Sequence, residues 1–287
     1  MKLPIRLIRW FNHAAPWVKP KRRLARWAAR RLPADRGVQV YAGVQGRWKM
    51  RLDLANESQR WMYLNNYEPI PCRVLGRVLR PGDVCVDCGA NVGYLSLWAC
   101  RCVGPTGRVY AFEPVSPTVE RLRENVRLNG VENIDVMANG TWDSPKTATM
   151  YSHDSADGGQ ASLGKRDDLP VGREFIIQTV RLDDVVDPPV RAIKIDVEGA
   201  ELATLRGAEK LLTASRPHIL MELNPLTCEP FGYQPIDLIN WVLKRLPDYR
   251  THLLTSRKCV PIGAEQLRDL LRDRPQKLRS VWLGPES

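Results

Sequence analysis

The run Asp83-Val84-Cys85-Val86-Asp87-Cys88-Gly89-Ala90-Asn91-Val92-Gly93 reads as a buried strand that breaks into a glycine loop with a helix behind it. Gly89 has no Cβ, so the backbone can turn sharply there and let a ligand lie against it. Gly93 opens a helix expected over 94–102, whose free N–H groups point at whatever fills the loop. A second apolar strand, Tyr110-Ala111-Phe112, ends in Glu113-Pro114, 20 residues past Gly93. A carboxylate at that strand end accepts two hydrogen bonds from the hydroxyls of a ribose. A dinucleotide loop, G-x-G-x-x-G, carries three glycines and serves a pyrophosphate. Here the loop is G-x-x-x-G, with Asp87 two residues before the first glycine. An acid there repels a pyrophosphate and welcomes an ammonium or sulfonium, which points to S-adenosylmethionine (SAM) rather than NAD.

Outward from this loop, strands and helices alternate. Strands are expected at 84–88, 108–112, 134–138, 192–196 and 218–223, and helices at 94–102, 116–129, 201–212 and 236–246, with Ser116 as the N-cap of the second helix. The last strands fall at 251–254 and 280–283. Such alternation builds a parallel sheet covered on both faces, with its site at the carboxyl ends of the strands. Ahead of it, 37–55 alternates as a β-hairpin, and 57–79 is helical in pieces around Tyr67-Glu68-Pro69. Residues 144–180 are polar and glycine-rich around two extended runs, 148–152 and 174–180, expected to form a hairpin or substrate-side insertion. The organisation is an arm at 1–36, a hairpin and helical cap at 37–80, and a catalytic domain at 81–287.

The net charge of +11 is unevenly placed. Residues 1–36 hold 11 lysines and arginines against Asp35 alone, so the basic character belongs to the arm and not to the catalytic body. Trp and Leu among arginines at 21–32 suit either an anionic membrane surface or a helix docking its apolar side on the body. No apolar stretch reaches the ~18 residues of a spanning helix, and no small-residue cleavage site follows an apolar region, so a cytoplasmic chain, peripheral to a membrane at most, is expected. The seven scattered cysteines read as buried thiols in a reducing compartment. Asp187-Pro188-Pro189-Val190 precedes its strand and lacks the aromatic of the amino-methylating D-P-P-Y motif, which excludes that chemistry.

A second constellation, Lys194-Ile195-Asp196-Val197-Glu198-Gly199-Ala200-Glu201, ends a strand in an acid and turns into a helix beside the first loop. Lys194 and Asp196 share strand parity and point the same way. A carboxylate here orients a cofactor, takes a proton from a substrate hydroxyl or binds a divalent cation. For Glu201 the structural account is a favourable charge in the first turn of a helix, and for Lys194 an ion pair with Asp196 or Glu198. Glu222, at the carboxyl end of the next strand, faces the same crevice. His218, at the wrong end of that strand, is structural.

With both constellations present, the chain resembles the FkbM family of SAM-dependent methyltransferases. The matching segments are V-D-C-G-A-N-V-G-Y-L-S at 86–96, V-Y-A-F-E-P at 109–114, N-V-R-L-N-G at 125–130, R-L-D-D at 181–184, K-I-D-V-E-G-A-E at 194–201 and R-P-H-I-L-M-E at 216–222. The resemblance implies a Rossmann-like α/β sheet of seven strands with helices on both faces and one antiparallel strand near its end. It implies O-methylation of a hydroxyl on a sugar, glycan, glycolipid or natural product. By position it makes Asp87, Gly89, Asn91 and Gly93 the cofactor loop and Glu113 the ribose ligand. Asn139 and Asp143 then lie on the adenine side, although Trp142 departs from the family's small-residue run. Asp196 and Glu198 lie near the transferred methyl, and Tyr67-Glu68 matches a motif near the site. The basic arm inherits nothing from the family. A protein that binds RNA through that arm, catalytic or not, is the competing reading, though the sheet lacks RNA-binding signatures and a nucleic-acid partner is not expected.

Overall fold

The computed structural model describes residues 7, 25, 27–32, 39–44, 48–152, 161–164, 172–255, 258–274 and 277–285. Most of the arm expected at 1–36 lies outside the described residues. A hairpin, β1 (Gln39–Val44) and β2 (Trp48–Leu52), leads into two helices, α1 (Glu57–Tyr63) and α2 (Pro69–Val78). The strand that opens the domain, β3 (Val84–Cys88), is followed by α3 (Tyr94–Val103), β4 (Arg108–Phe112), α4 (Ser116–Arg127) and β5 (Ile134–Met137). The middle of the chain supplies β6 (Gly140–Thr141), β7 (Thr147–Ser152), β8 (Ala161–Ser162), β9 (Arg173–Val180) and the short α5 (Leu182–Val185). After β10 (Ala192–Ile195) come α6 (Glu201–Gly207), α7 (Glu209–Ser215), β11 (His218–Leu223), α8 (Pro225–Cys228) and α9 (Pro235–Arg245). The chain closes with β12 (Tyr249–Leu254), β13 (Cys259–Pro261), α10 (Ala264–Asp273) and β14 (Arg279–Pro285).

The main sheet has eight strands in the order β13-β12-β14-β11-β10-β3-β4-β5. Strands β5, β4, β3, β10 and β11 are parallel, and β14 runs antiparallel between β11 and β12. The sheet has one strand more than the seven expected: β14 is the antiparallel strand near its end, and β13 is added as an antiparallel edge on β12. Side chains along each strand alternate between two cores. Cys85, Ala111 and Ala192 pack with α2, α3 and α4, whereas Val86, Phe112 and Ile193 pack with α6, α7, α9 and α10. Both faces are covered, which is why the central strands are uniformly apolar.

The hairpin docks on α4: the Arg51 and Lys49 amides donate to Asn125 Oδ1 at 2.7 Å and Asn129 Oδ1 at 2.8 Å. At the arm's end, Ala25, Ala28 and Leu32 are buried, and the latter two join the first core, while Trp27, Arg30 and Arg31 face outward. Two expectations fail locally. Ser116 is not a cap: Val115 holds that position, and Ser116-Pro117 start the helix itself. The helix expected over 201–212 is two, α6 and α7, parted at Ala208, whose backbone leaves the helical conformation (φ -114, ψ 11); at the preceding Gly207 a Cβ would stand 2.0 Å from the Trp142 carbonyl. The insertion is a separate four-stranded sheet, β6-β9-β7-β8, built on the antiparallel β7–β9 pair.

Candidate active site

At the carboxyl ends of β3, β4, β10 and β11 the sheet opens into a crevice of about 370 Å³. Gly89, Asn91, Phe112, Glu113 and Asn139 line one part of it. Tyr67, Glu68, Asp196, Glu198 and Glu222 line the other, roofed by Ser162 and Leu163 of the insertion.

The glycine loop is shaped as its residues dictate. Gly89 has φ +77, and a Cβ there would stand 1.9 Å from the Asp196 carbonyl. The first loop and the β10 turn therefore touch through a missing side chain. Glu113, 8% exposed, accepts from the Asn91 amide at 3.0 Å and the Val115 amide at 3.1 Å, one on each carboxylate oxygen. Each oxygen keeps a second lone pair, so a ribose diol can still be received. Burial pushes this carboxyl up to about 7, against the pull of those two amides and of Lys194.

Asp87 is 2% exposed and sits behind the loop instead of lining the crevice. It accepts from Ser96 Oγ at 2.6 Å, and its cationic neighbour is Lys194 Nζ at 3.3 Å. Its acid charge is thus met by the Lys194 ammonium. Lys194 also donates to the carbonyls of Gly89 at 2.7 Å and Cys88 at 3.2 Å, and lies 3.6 Å from Asp196 Oδ2. Burial opposes its charge, but Asp87 and then Asp196 hold the ammonium above its ordinary range. The ion pair expected for Lys194 exists, with Asp87 as an added partner and without Glu198. Gly93, φ +92, starts α3 and faces Leu122 instead of the crevice.

Carboxylate oxygens of Asp196, Glu198 and Glu222 lie within 4.8 Å of one another. Burial, then the charges of Asp196 and Glu198, push the Glu222 carboxyl well above the usual range, so it favours its protonated form. The donor set is all oxygen, the type that a hard divalent cation takes. Tyr67 packs edge-on against Tyr94 with ring centroids 5.2 Å apart, and its hydroxyl is pushed up by burial and by Glu68. Glu68 (φ 42) and Glu198 (φ 52) both adopt the left-handed conformation, which side-chain-bearing residues rarely accept.

That strained turn is clamped from several sides. Ser162 Oγ donates to the Glu198 carbonyl at 2.6 Å. Glu201 accepts from the Val197 amide at 3.1 Å and the Gly199 amide at 3.0 Å, and Tyr233 donates to the Gly199 carbonyl at 2.8 Å. Glu201 thus does more than stabilise a helix end. Ser162 and Tyr233 were invisible to motif reading because their partners lie 36 and 34 residues away. Asp143 does not reach the crevice. It sits at an outer groove with Arg181, Arg206 and Lys244, where Arg181 Nη1 donates to its carbonyl at 3.0 Å. The adjacent Trp142 turns toward Phe231, 5.9 Å between centroids, and carries the chain away from the crevice. His218 packs beside Trp282 at the far end of β11, as a structural residue would.

Residues 87–250 match the model of the FkbM methyltransferase domain. Over 189 residues the chain is 28% identical to an AMB antimetabolite synthetase of Pseudomonas aeruginosa, covering 52% of this chain and 9% of that protein. It is 35% identical over 85 residues to a protein-L-isoaspartate O-methyltransferase of Aeropyrum pernix, covering 27% of this chain and 33% of the relative. The chain thus spans a third or less of these curated relatives. A crystal structure of an FkbM methyltransferase from Methylobacillus flagellatus superposes with a TM-score of 0.47 at 19% identity, over 79% of this chain and 54% of that one.

Proposed function

The chain belongs to the FkbM methyltransferase family, and from that premise we propose that it transfers the methyl group of SAM to a hydroxyl of a carbohydrate, glycolipid or natural product. The observation that carries this reading is the meeting of an adenosine-type half-site, Gly89 and Glu113, with three carboxylates, Asp196, Glu198 and Glu222, in one crevice.

The residues present fit the cofactor. Gly89 lets the β3 loop close directly onto the Asp196 carbonyl and still line the crevice, and Glu113 keeps two lone pairs for a diol. SAM supplies a methyl group on a sulfonium, an electrophile that needs no acid to leave. What the protein must supply is position and a proton acceptor. Lys194 fixes the loop by holding two of its carbonyls, and Glu113 fixes the ribose. Asp196, beside the ammonium of Lys194, presents a carboxylate at the mouth of the loop. Asp196 is the base that takes the proton lost by the acceptor hydroxyl as the methyl–sulfur bond breaks and the methyl–oxygen bond forms, and Glu222, whose carboxyl is pushed up by burial and its acidic neighbours, lies beside it as a neutral hydrogen-bonding group. Tyr67 and Glu68 close the acceptor side.

Asp196→Asn keeps the shape and removes the charge. Calorimetric SAM binding within threefold of the parent, with transfer to a glycan acceptor panel reduced about 100-fold or more, is the expected outcome. Unchanged transfer would remove the assignment. A divalent cation held by the three carboxylates is the second reading, favoured by their mutual distance. Full activity after EDTA treatment would dismiss it.

A further inference from the structure

A second groove, about 470 Å³, adjoins the crevice, and Glu68 and Leu278 line both. Its character is the reverse of its neighbour's. Ile70, Leu253, Leu254 and Leu270 make an apolar wall, and Leu278 stands 47% exposed at the shared boundary. Arg274, Lys277 and Arg279 line the same space.

None of these three cations pairs with a carboxylate among the described residues. Arg279 is the telling one, because it is 7% exposed yet donates to carbonyls alone, those of Lys277 at 3.2 Å and Leu278 at 3.3 Å. A largely covered arginine with no anion beside it is electrostatically uncompensated, and burial together with Arg274 pulls its pKa down. Its remaining N–H groups have no acceptor among the described residues, and a guanidinium fork matches phosphate or carboxylate geometry. Hydrocarbon wall and uncompensated positive charge lie within one groove, continuous with an acid-lined crevice.

We propose that this groove holds the far part of the acceptor, an anionic amphiphile in which a phosphate or carboxylate joined to a hydrocarbon segment sits on Arg279, Arg274 and Lys277 while its hydroxyl reaches Asp196. This acceptor class rests on the transferase reading above, but the groove is testable without turnover.

The probe is monooctyl phosphate below its micellar concentration, titrated calorimetrically into the full chain, with octyl glucoside and inorganic phosphate as the two halves of the chemistry. Monooctyl phosphate should bind at least about tenfold more tightly than either half. Arg279→Gln should weaken it about tenfold or more, and the exposed pair Arg274→Gln/Lys277→Gln should weaken it several-fold with SAM binding unchanged. If Arg279→Gln fails to fold, the exposed pair decides. Octyl glucoside or inorganic phosphate binding as tightly as monooctyl phosphate overturns the proposal, as does absence of monooctyl phosphate binding in a protein that still binds SAM. Monooctyl phosphate binding without SAM binding upholds the groove and removes the transferase reading alone.

Discussion

Glu113 shows how much one residue can say. Its place after an apolar strand, 20 residues past the loop, marks it as a candidate ribose ligand from the sequence alone. Its titration is not readable there, because it depends on burial and on amides from Asn91 and Val115. A carboxyl raised to about 7 in the folded protein adds stability that is full below its ordinary pKa and is lost as pH rises through 7. A diol prefers the ionised form, so the cofactor's affinity should run the other way. Between pH 6 and 8 SAM should bind more tightly with rising pH, with proton release, and the dependence should flatten above about 7. Glu113→Gln should bind at least tenfold more weakly and lose the pH dependence. Calorimetry in buffers of different ionisation enthalpy measures both. The sequence offered Asp196 or Glu198 as partners of Lys194, and Asp87 entered only with the fold, because which acid meets the ammonium is a matter of side-chain reach across β3 and β10. Asp143 was misplaced for a similar reason: Trp142 packs outward onto Phe231, and the chain leaves the crevice one residue too early.

At the scale of elements, the parallel strands announced themselves because both of their faces are buried, leaving continuous apolar runs. The hairpin insertion was equally clear. The edge was not: β13 is three residues ending in a proline, and nothing in Cys259-Val260-Pro261 distinguishes it from a loop. Helix α10 carries Leu267, Leu270 and Leu271 at helical spacing, but its surrounding arginines and aspartates mask the stripe. The β3 and β10 turns form one unit, since the Asp196 carbonyl occupies the space a Gly89 side chain would take. Gly89→Ala should therefore abolish SAM binding and destabilise the fold by about 3 kcal/mol or more, combining left-handed backbone strain with a backbone clash. Gly130→Ala is the matched comparison. It too has positive φ, 58, but meets nothing within 4 Å, so it should cost about 1 kcal/mol and leave SAM binding intact. Urea denaturation of the two variants separates strain from collision.

For the molecule as a whole, the charge asymmetry was plain in the sequence, while the role of the arm's end was not. Alanines at 25 and 28 and Leu32 carry no periodic signal strong enough to choose between membrane and body. Their burial docks the apolar side of that stretch on the body, since Ala28 and Leu32 join the core with Met50 and Leu52, and leaves Trp27, Arg30 and Arg31 outward. The single substitutions Ala28→Asp and Leu32→Asp should each lower thermal stability clearly, whereas Arg30→Gln should leave it nearly unchanged. Leu32→Ala should cost about 2 kcal/mol, the burial of its side chain in the first core. Equal stability of the Leu32→Asp variant and the parent, measured by calorimetric melting, would contradict the docking.

The acid-rich crevice has a consequence for turnover. Glu68, Glu113, Asp196, Glu198 and Glu222 line it, and none of its described lining residues is basic. A methyl donor arrives with a positive sulfonium, and its spent form is a neutral thioether. The same walls that hold the first by charge have no such grip on the second. Release is thus built into the field of the site, and product inhibition should grow as added salt erases the difference between the two.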